Sequence, residues 1–327
     1  MGIKHFTKLI NDYAPTCLQK KNITYYKNKI IAVDTSLILY QYISAIRNSG
    51  KDLTDNNGIS TSHIYAIIQK TISLLNDNIK PIYVFDGKAP SIKKYTLDSR
   101  KNNKRKAIKN EKKAVTKEDK IKYFKRSVTI TKKQFNECKK ILDIMGIPYI
   151  QAEGEADIVC SNLVKKKIAY ATLSEDVDIL TFGCNNLIKN MKRKNEIIQY
   201  NLEYILKELK INYIEFINLC ILLGCDYLPT IKGIGYKTAY KLILEYRSIE
   251  EIIKNNKKYI IPKDYNYEEI IEYYKDGNIK ENIEDYNIQF KDPDLIKLKS
   301  NLIKYDFDSN HFDKIINKIK KIYFIHT

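Results

Sequence analysis

Seven carboxylates stand where element boundaries could gather them. Asp34 and Asp86 each close an apolar run that reads as a strand, Ile30-Ile31-Ala32-Val33 and Ile82-Tyr83-Val84-Phe85. Glu155 and Asp157 lie two residues apart at the expected start of a helix. Asp176 and Asp178 follow the apolar run 169–173, and Asp226 follows the apolar stretch 216–223. Taken singly, an acid in such a place is ordinarily a helix cap or a turn former. In an open parallel sheet, however, sites form beyond the carboxyl ends of strands, so these acids are placed to share one crevice. Carboxylates that close raise one another's pKa and cannot all ionise without cations. Hard divalent ions with oxygen ligands resolve the conflict, with Mg²⁺ bound through a few carboxylates and waters as the default. Two such ions about 4 Å apart clamp the attacking and leaving oxygens of a phosphodiester.

The elements that must position these acids alternate through the first half of the chain. Strands are predicted at 29–34, 81–86, 147–150 and 169–173, with a final pair at 187–191 and 196–200. Helical spacing runs through 35–47, 64–75, 134–145 and 155–164. Strands separated by helices imply βαβ units and a mostly parallel sheet, hence an α/β core over 1–200. Beyond residue 201 the pattern becomes helical (202–209, 213–223, 237–246, 249–254 and 312–323), with a looser Asn-, Tyr- and Asp-rich stretch at 255–310. No Gly/Ser- or Pro-rich linker intervenes, so residues 201–327 are expected to pack on the core.

The whole chain is basic, with 57 Lys and Arg against 39 Asp and Glu in 327 residues and a net charge of +18. A polyanionic partner is the first to consider. No run approaches the about 18 apolar residues that span a bilayer, and the N-terminus lacks a signal-peptide stretch. The hydrophobic fraction of 44% supports a folded core. Six cysteines without a C-x-x-C pair read as reduced intracellular thiols, and four histidines lack zinc spacing. The charge is concentrated: 93–126 holds fifteen basic residues against four acids. A run of this kind is ordinarily a solvated face. Here Ile92, Tyr95, Leu97, Ala107, Ile108, Ala114 and Val115 are too sparse to pack a core, so a protruding element that orders around phosphates is expected, with steeply salt-dependent binding.

A third feature lies between two predicted helices, Gly224-Cys225-Asp226-Tyr227-Leu228-Pro229-Thr230-Ile231-Lys232-Gly233-Ile234-Gly235-Tyr236-Lys237. Gly233 and Gly235 allow a tight hairpin whose backbone N–H groups, with the next helix N-terminus, can grip a phosphate without reading bases. A lone G-x-G is usually a plain turn. Its place between helices, beside Lys232 and Lys237, gives it the look of a helix–hairpin–helix duplex grip.

At these residues the chain resembles the flap endonuclease (XPG/Rad2-type) family of structure-specific 5′ nucleases. The likeness runs from Met1-Gly2-Ile3 through Val33-Asp34, Tyr83-Val84-Phe85-Asp86-Gly87-Lys88, Gly154-Glu155-Ala156-Asp157 and Ser174-Glu175-Asp176-Val177-Asp178 to the glycine hairpin. It implies a PIN-like α/β nuclease core, a basic helical arch at about 90–130 that a 5′ flap threads, and a helix–two-turn–helix grip in the C-terminal region. It implies two Mg²⁺ ions, with Mn²⁺ as a substitute, held by Asp34, Asp86, Glu155, Asp157, Asp176, Asp178 and Asp226. Asp157 stands where many relatives have Glu. Lys93 and Arg100 match the pair that contacts the scissile phosphate, and Tyr40 the aromatic that stacks on the adjacent base. Arg47, Thr61, Lys70 and Phe312 fall in duplex and 3′-flap regions, where Asn310 and His311 depart from the more basic pattern. Gly2, Lys104, Arg105, Arg126, Lys132, Lys232, Gly233, Gly235 and Lys237 complete the implied DNA contacts. Thr230, Ile231 and Ile234 match a monovalent-cation site, usually K⁺, although Tyr236 replaces a usual Pro.

The resemblance therefore implies a 5′ flap endonuclease with 5′→3′ exonuclease activity in DNA replication or repair, selecting junction shape over base sequence. The partner expected is flapped or nicked DNA, acted on by a monomer with no membrane attachment, in a nucleus or at a cytoplasmic replication site. The family's C-terminal sliding-clamp peptide does not fit the spacing of Lys320-Lys321-Ile322-Tyr323-Phe324, so clamp binding through it is not expected. Two other readings share these features, a related 5′→3′ exonuclease or junction resolvase, and a non-catalytic binder of DNA structures. Clustered anions would only repel DNA from a pure binder.

Overall fold

A computed structural model of the chain describes residues 2–189, 191, 195–276, 286–305, 307 and 309–324, without the side chains at 309–312 and 321–324. The readings of Asn310, His311, Phe312 and the 321–327 peptide lie outside the described residues. Among the described residues seven strands form, β1 (Leu18–Lys21), β2 (Ile30–Asp34), β3 (Lys80–Phe85), β4 (Tyr149–Gln151), β5 (Ala171–Leu173), β6 (Asn186–Lys189) and β7 (Ile197–Asn201). They belong to two compact units. One comprises Met1–Tyr25, Asp86–Thr96 and Ala152–Ile283, the other Tyr26–Phe85, Leu97–Gln151 and Glu284–Thr327. These units interleave in sequence, because parallel strands pair across crossovers and neighbours in space come from distant segments.

In the second unit β2 pairs in parallel with β3, and β3 with β4. The runs Ile31-Ala32-Val33 and Ile82-Tyr83-Val84-Phe85 are buried on both faces, as covered parallel strands require. Asp34 lies opposite Val84, so β2 delivers its acid at the carboxyl end. β4 starts two residues later than expected, after Pro148, which has no N–H to donate to a ladder. Thr131 and Gln134 form a capping box on the helix Lys132–Ile144.

In the first unit β5 and β6 are parallel, while β7 runs antiparallel to both β6 and β1. β1 was not anticipated, since Leu-Gln-Lys-Lys has no apolar alternation; its lysines suit a charged outer strand. Phe6 anchors the core here, 6.0 Å from the Tyr200 ring and 6.1 Å edge-on from Phe216. Among its described residues, the stretch expected to be loose includes the helices Tyr267–Asp276 in this unit and Leu295–Lys304 in the other. Their buried residues are few, Ile270 and Tyr274 in one and Leu298 and Leu302 in the other, so the apolar period is faint in sequence. Among the described residues no helix is long and apolar enough to cross a membrane, and all six cysteines are buried free thiols.

The basic run folds as two helices, Lys94–Lys113 and Lys117–Arg126. The first buries only Ala107. Thr116 caps the second, which has Glu118 and Asp119 in its first turn and Lys125 and Arg126 in its last, matching the helix dipole. Phe124 helps to hold it. Arg47 lies 4.1 Å from the Phe124 ring centroid, donates to Phe124 O at 2.8 Å and to Ser127 Oγ at 3.3 Å, and forms a two-pronged pair with Asp52. Cation–π contact and a paired guanidinium are each worth about 1 kcal/mol or more when desolvated. Arg47→Ala is therefore expected to raise trypsin cleavage within residues 94–126 by about tenfold under native conditions, read by mass spectrometry of timed digests.

Candidate metal centre

Backbone approach sets the first acids. Asp86 directly follows β3. Gly87 N donates to Gly154 O at 2.7 Å and Lys88 N to Glu153 O at 2.8 Å. A Cβ on residue 87 would lie 2.2 Å from Ala152 O and 2.3 Å from Glu153 O, so only glycine permits this contact. The approach lets Asp86 Oδ1 accept from Ala156 N at 2.9 Å. Glu155 takes the N-cap position of the helix Ala156–Lys165, and Asp157 sits in its first turn. No side-chain cap bond uses Glu155, whose carboxylate turns to other partners.

The turn after β5 supplies Asp176 and Asp178. Asp176 N takes the Ser174 hydroxyl as acceptor at 3.0 Å, and Asp178 N donates to Asp176 Oδ1 at 3.1 Å. Asp226 enters from the end of the buried helix Tyr213–Leu223, past Gly224, whose φ of 105° suits glycine. Lys4 N donates to Gly224 O at 2.9 Å, and Thr96 Oγ1 to Asp226 O at 2.5 Å. Asp176, Asp178 and Asp226 each bring a carboxylate oxygen within 4.8 Å of the other two. Gly2 closes one side: a Cβ there would lie 2.0 Å from Asp176 Oδ1 and 3.0 Å from Asp178 Oδ1.

Lys93 joins this cluster to Glu155. Its ammonium pairs with Glu155 Oε1 and lies 3.7 Å from Asp226 Oδ2. Burial works against its charge, but Glu155, Asp157 and Asp226 outweigh that and hold its pKa above the ordinary lysine value. On the other oxygen, Glu155 Oε2 accepts from Tyr227 OH and from Tyr273 OH, each at 2.8 Å. Burial, then the charge of Asp226, raises the Asp176 pKa; burial, then Asp176 and Asp226, raises that of Asp178 much further. Asp178 Oδ1 is buried and has no hydrogen-bond partner. Four buried or half-buried carboxylates crowd around the Lys93 ammonium here, and an unsatisfied carboxylate oxygen points among them. That donor set, all hard oxygen, fits a divalent cation.

The remaining expected residues are distributed as follows. Asp34 belongs to the second unit, where it is buried and accepts from Leu37 N at 3.3 Å, capping the helix Thr35–Ile46. Arg100, Arg105, Arg126 and Lys132 are exposed and Lys104 half-buried. Tyr40 is exposed, whereas Thr61 and Lys70 are buried in their own unit. The 224–235 segment does join two helices, Tyr213–Leu223 and Tyr236–Tyr246. Gly233 has φ 89°, Gly235 takes the N-cap position, and Lys232 and Lys237 are exposed. Ile231 is buried, Ile234 half-buried and Thr230 exposed. Sequence reasoning missed Tyr227 and Tyr273 as partners of Glu155. Tyr227 had a signal in its adjacency to Asp226; Tyr273 had none.

Two family models match the chain, the XPG N-terminal domain over residues 1–107 and the XPG I-region over residues 146–226. The chain is 40% identical to flap endonuclease 1 of Entamoeba histolytica, over 98% of this chain and 88% of that protein. Among solved structures, flap endonuclease-1 from Methanococcus jannaschii superposes with a TM-score of 0.75 at 31% identity, covering 97% of this chain and 99% of the other. The catalytic core of Rad2 in complex with a DNA substrate has the same fold, with a TM-score of 0.74 at 24% identity and coverage of 97% and 100%.

The raised pKa of Asp178 carries a linkage consequence. A carboxyl whose folded pKa exceeds its unfolded one binds more protons when folded, so stability declines as pH rises above about 4. In a chelator, the melting temperature should fall from pH 5 to pH 8, and Asp178→Asn should recover about 2–4 °C per kcal/mol relieved. Added Ca²⁺ should raise the wild-type melting temperature more than that of the variant, measured by scanning fluorimetry.

Proposed function

The chain belongs to the flap endonuclease (XPG-type) family of nucleases, and on that premise we propose how its residues act on DNA. It is a structure-specific flap endonuclease, a hydrolase of phosphodiester bonds. The reading of its site is carried by one observation, the Asp176–Asp178–Asp226 cluster with its unpartnered buried oxygen. Those three acids, with Glu155 and with Asp34, Asp86 and Asp157 from the family pattern, are the proposed metal ligands. Two Mg²⁺ ions, or Mn²⁺ in their place, supply Lewis-acid charge to the phosphoryl oxygens when bound.

The chain's own groups supply the rest. Lys93, its pKa raised by three acids, stays protonated across the neutral range and stabilises charge developing on a phosphate. Arg100 is its proposed partner, and Tyr40 a base-stacking platform. The exposed lysines and arginines of 94–126 form a cationic arch for a 5′ single strand, with a free 5′ end giving the accompanying 5′→3′ exonuclease activity. Lys104, Arg105, Arg126, Lys132, Arg47, Thr61 and Lys70 are proposed to serve DNA, and Gly2 to fit closely beside the acids. Gly233, Gly235, Lys232 and Lys237 are proposed to grip duplex phosphates, with K⁺ at Thr230, Ile231 and Ile234. In functional terms 1–200 is the nuclease module and 201–327 the duplex-holding module. Action as a monomer on flapped or nicked DNA inside the cell accords with the buried free thiols.

Asp176→Ala is expected to bind an end-labelled 5′ flap in Ca²⁺ with wild-type affinity. In Mg²⁺ its cleavage should fall by about 10²–10³-fold, a loss of several kcal/mol of charge stabilisation. Near-parental turnover would refute the metal assignment. Denaturing gels comparing a 5′ flap, a nicked duplex and a four-way junction check the substrate, and preferred cleavage of the junction would favour a resolvase.

A further inference from the structure

Glu155 is held more tightly than a metal ligand in contact with solvent would be. A carboxylate oxygen offers two lone-pair sites, and both sites of Oε2 face phenols, Tyr227 OH and Tyr273 OH at 2.8 Å each. The second oxygen, Oε1, is the one that meets Lys93. Tyr227 is next in sequence to Asp226, but Tyr273 comes from the separate helix Tyr267–Asp276. Successive helical residues are about 100° apart, and here that turn divides two tyrosines between different tasks. Tyr274 is fully buried, its ring 5.0 Å from Phe182 and 5.4 Å from Tyr227. Tyr273 lies edge-on to the same rings, at 5.7 Å and 5.4 Å, and extends its hydroxyl to Glu155. A phenylalanine would keep those ring contacts. The hydroxyl is therefore what the position adds.

We infer that Tyr273 is a positioning residue of the metal centre: with Tyr227 it saturates Glu155 Oε2, so that Glu155 presents Oε1 alone to Lys93 or to a divalent cation. This rests on the proposed metal site. A hydroxyl donated to an ionised group is among the stronger hydrogen bonds in proteins. It fixes both the rotamer and the face of a side chain that caps nothing on its own helix. The consequence is a one-oxygen ligand. Without the Tyr273 hydroxyl, Tyr227 and Lys93 alone hold Glu155 and one lone-pair site of Oε2 is left open, so the carboxylate is less tightly fixed and part of the entropy of holding it is charged to metal binding.

The test uses the full chain free of DNA, with Ca²⁺ titrated in a calorimeter and circular dichroism confirming the fold of each variant. Tyr273→Phe should weaken Ca²⁺ binding about tenfold, and Tyr273→Leu should do no less. In a Glu155→Ala background, Tyr273→Phe should change affinity by less than about twofold, since the coupling requires both groups. In Mg²⁺-dependent flap cleavage, Tyr273→Phe should leave KM for DNA unchanged and lower kcat at limiting Mg²⁺, with recovery at high Mg²⁺. Wild-type affinity in Tyr273→Phe, a loss confined to Tyr273→Leu, or an equal loss with and without Glu155 would each overturn the assignment. If the wild type binds Ca²⁺ but cleaves no flap, the enzymatic reading fails and the Ca²⁺ cycle still decides Tyr273. A wild type that binds no Ca²⁺ overturns both.

Discussion

Repulsion among buried carboxylates is the constraint to which the first unit answers. Asp176, Asp178 and Asp226 bring oxygens within 4.8 Å of one another at sites that exclude most water. Lys93 is the ammonium set against them and against Glu155. Protonation relieves part of the conflict, as the raised pKa values of Asp176 and Asp178 indicate. A hard divalent cation would relieve it more completely, because it adds two charges and takes oxygen ligands. Buried anions that cost stability when unpaired persist where a function uses them.

The surrounding backbone keeps these acids from moving apart. Gly87 lets the 86–88 segment touch the 152–154 segment, and Gly2 lets the N-terminal backbone lie against Asp176. A side chain at either position would force the acids outward. Gly224 then turns the chain into Asp226, while Lys4 bonds to its carbonyl. Phenols from two segments clasp Glu155. Residues distant in sequence thus determine the orientation of each carboxylate, which is how a preorganised site avoids reorganisation when substrate arrives.

Cationic charge is handled differently. In the basic segment the helices bury almost nothing, and local devices support them, a Thr116 cap and charges aligned with the dipole. Arg47 adds a tertiary pin through Phe124 and Asp52. A segment built this way can remain highly charged and still hold its shape, with its lysines left in solvent for a polyanion.

The amino-acid order alone determined the α/β alternation, the parallel strand pairs, the acids at strand ends and the basic run, because periodicity and composition are local properties. It also marked Asp34, Asp86, Glu155, Asp157, Asp176, Asp178 and Asp226 as one set, of which the structure brings the oxygens of Asp176, Asp178 and Asp226 within 4.8 Å of one another. Elsewhere locality failed. β1 has no alternation to announce it, and the helix Tyr267–Asp276 buries too little to show a period. The interleaving of the two compact units depends on pairings across crossovers, which no window of sequence contains. Only the tertiary structure decided that Lys93 bridges Glu155 and Asp226, that Asp178 is left with an unpartnered oxygen, and that Tyr273 reaches Glu155 from 118 residues away. Such contacts are set by the packing of whole elements, and the angle at which one helix meets another is not written in the residues of either.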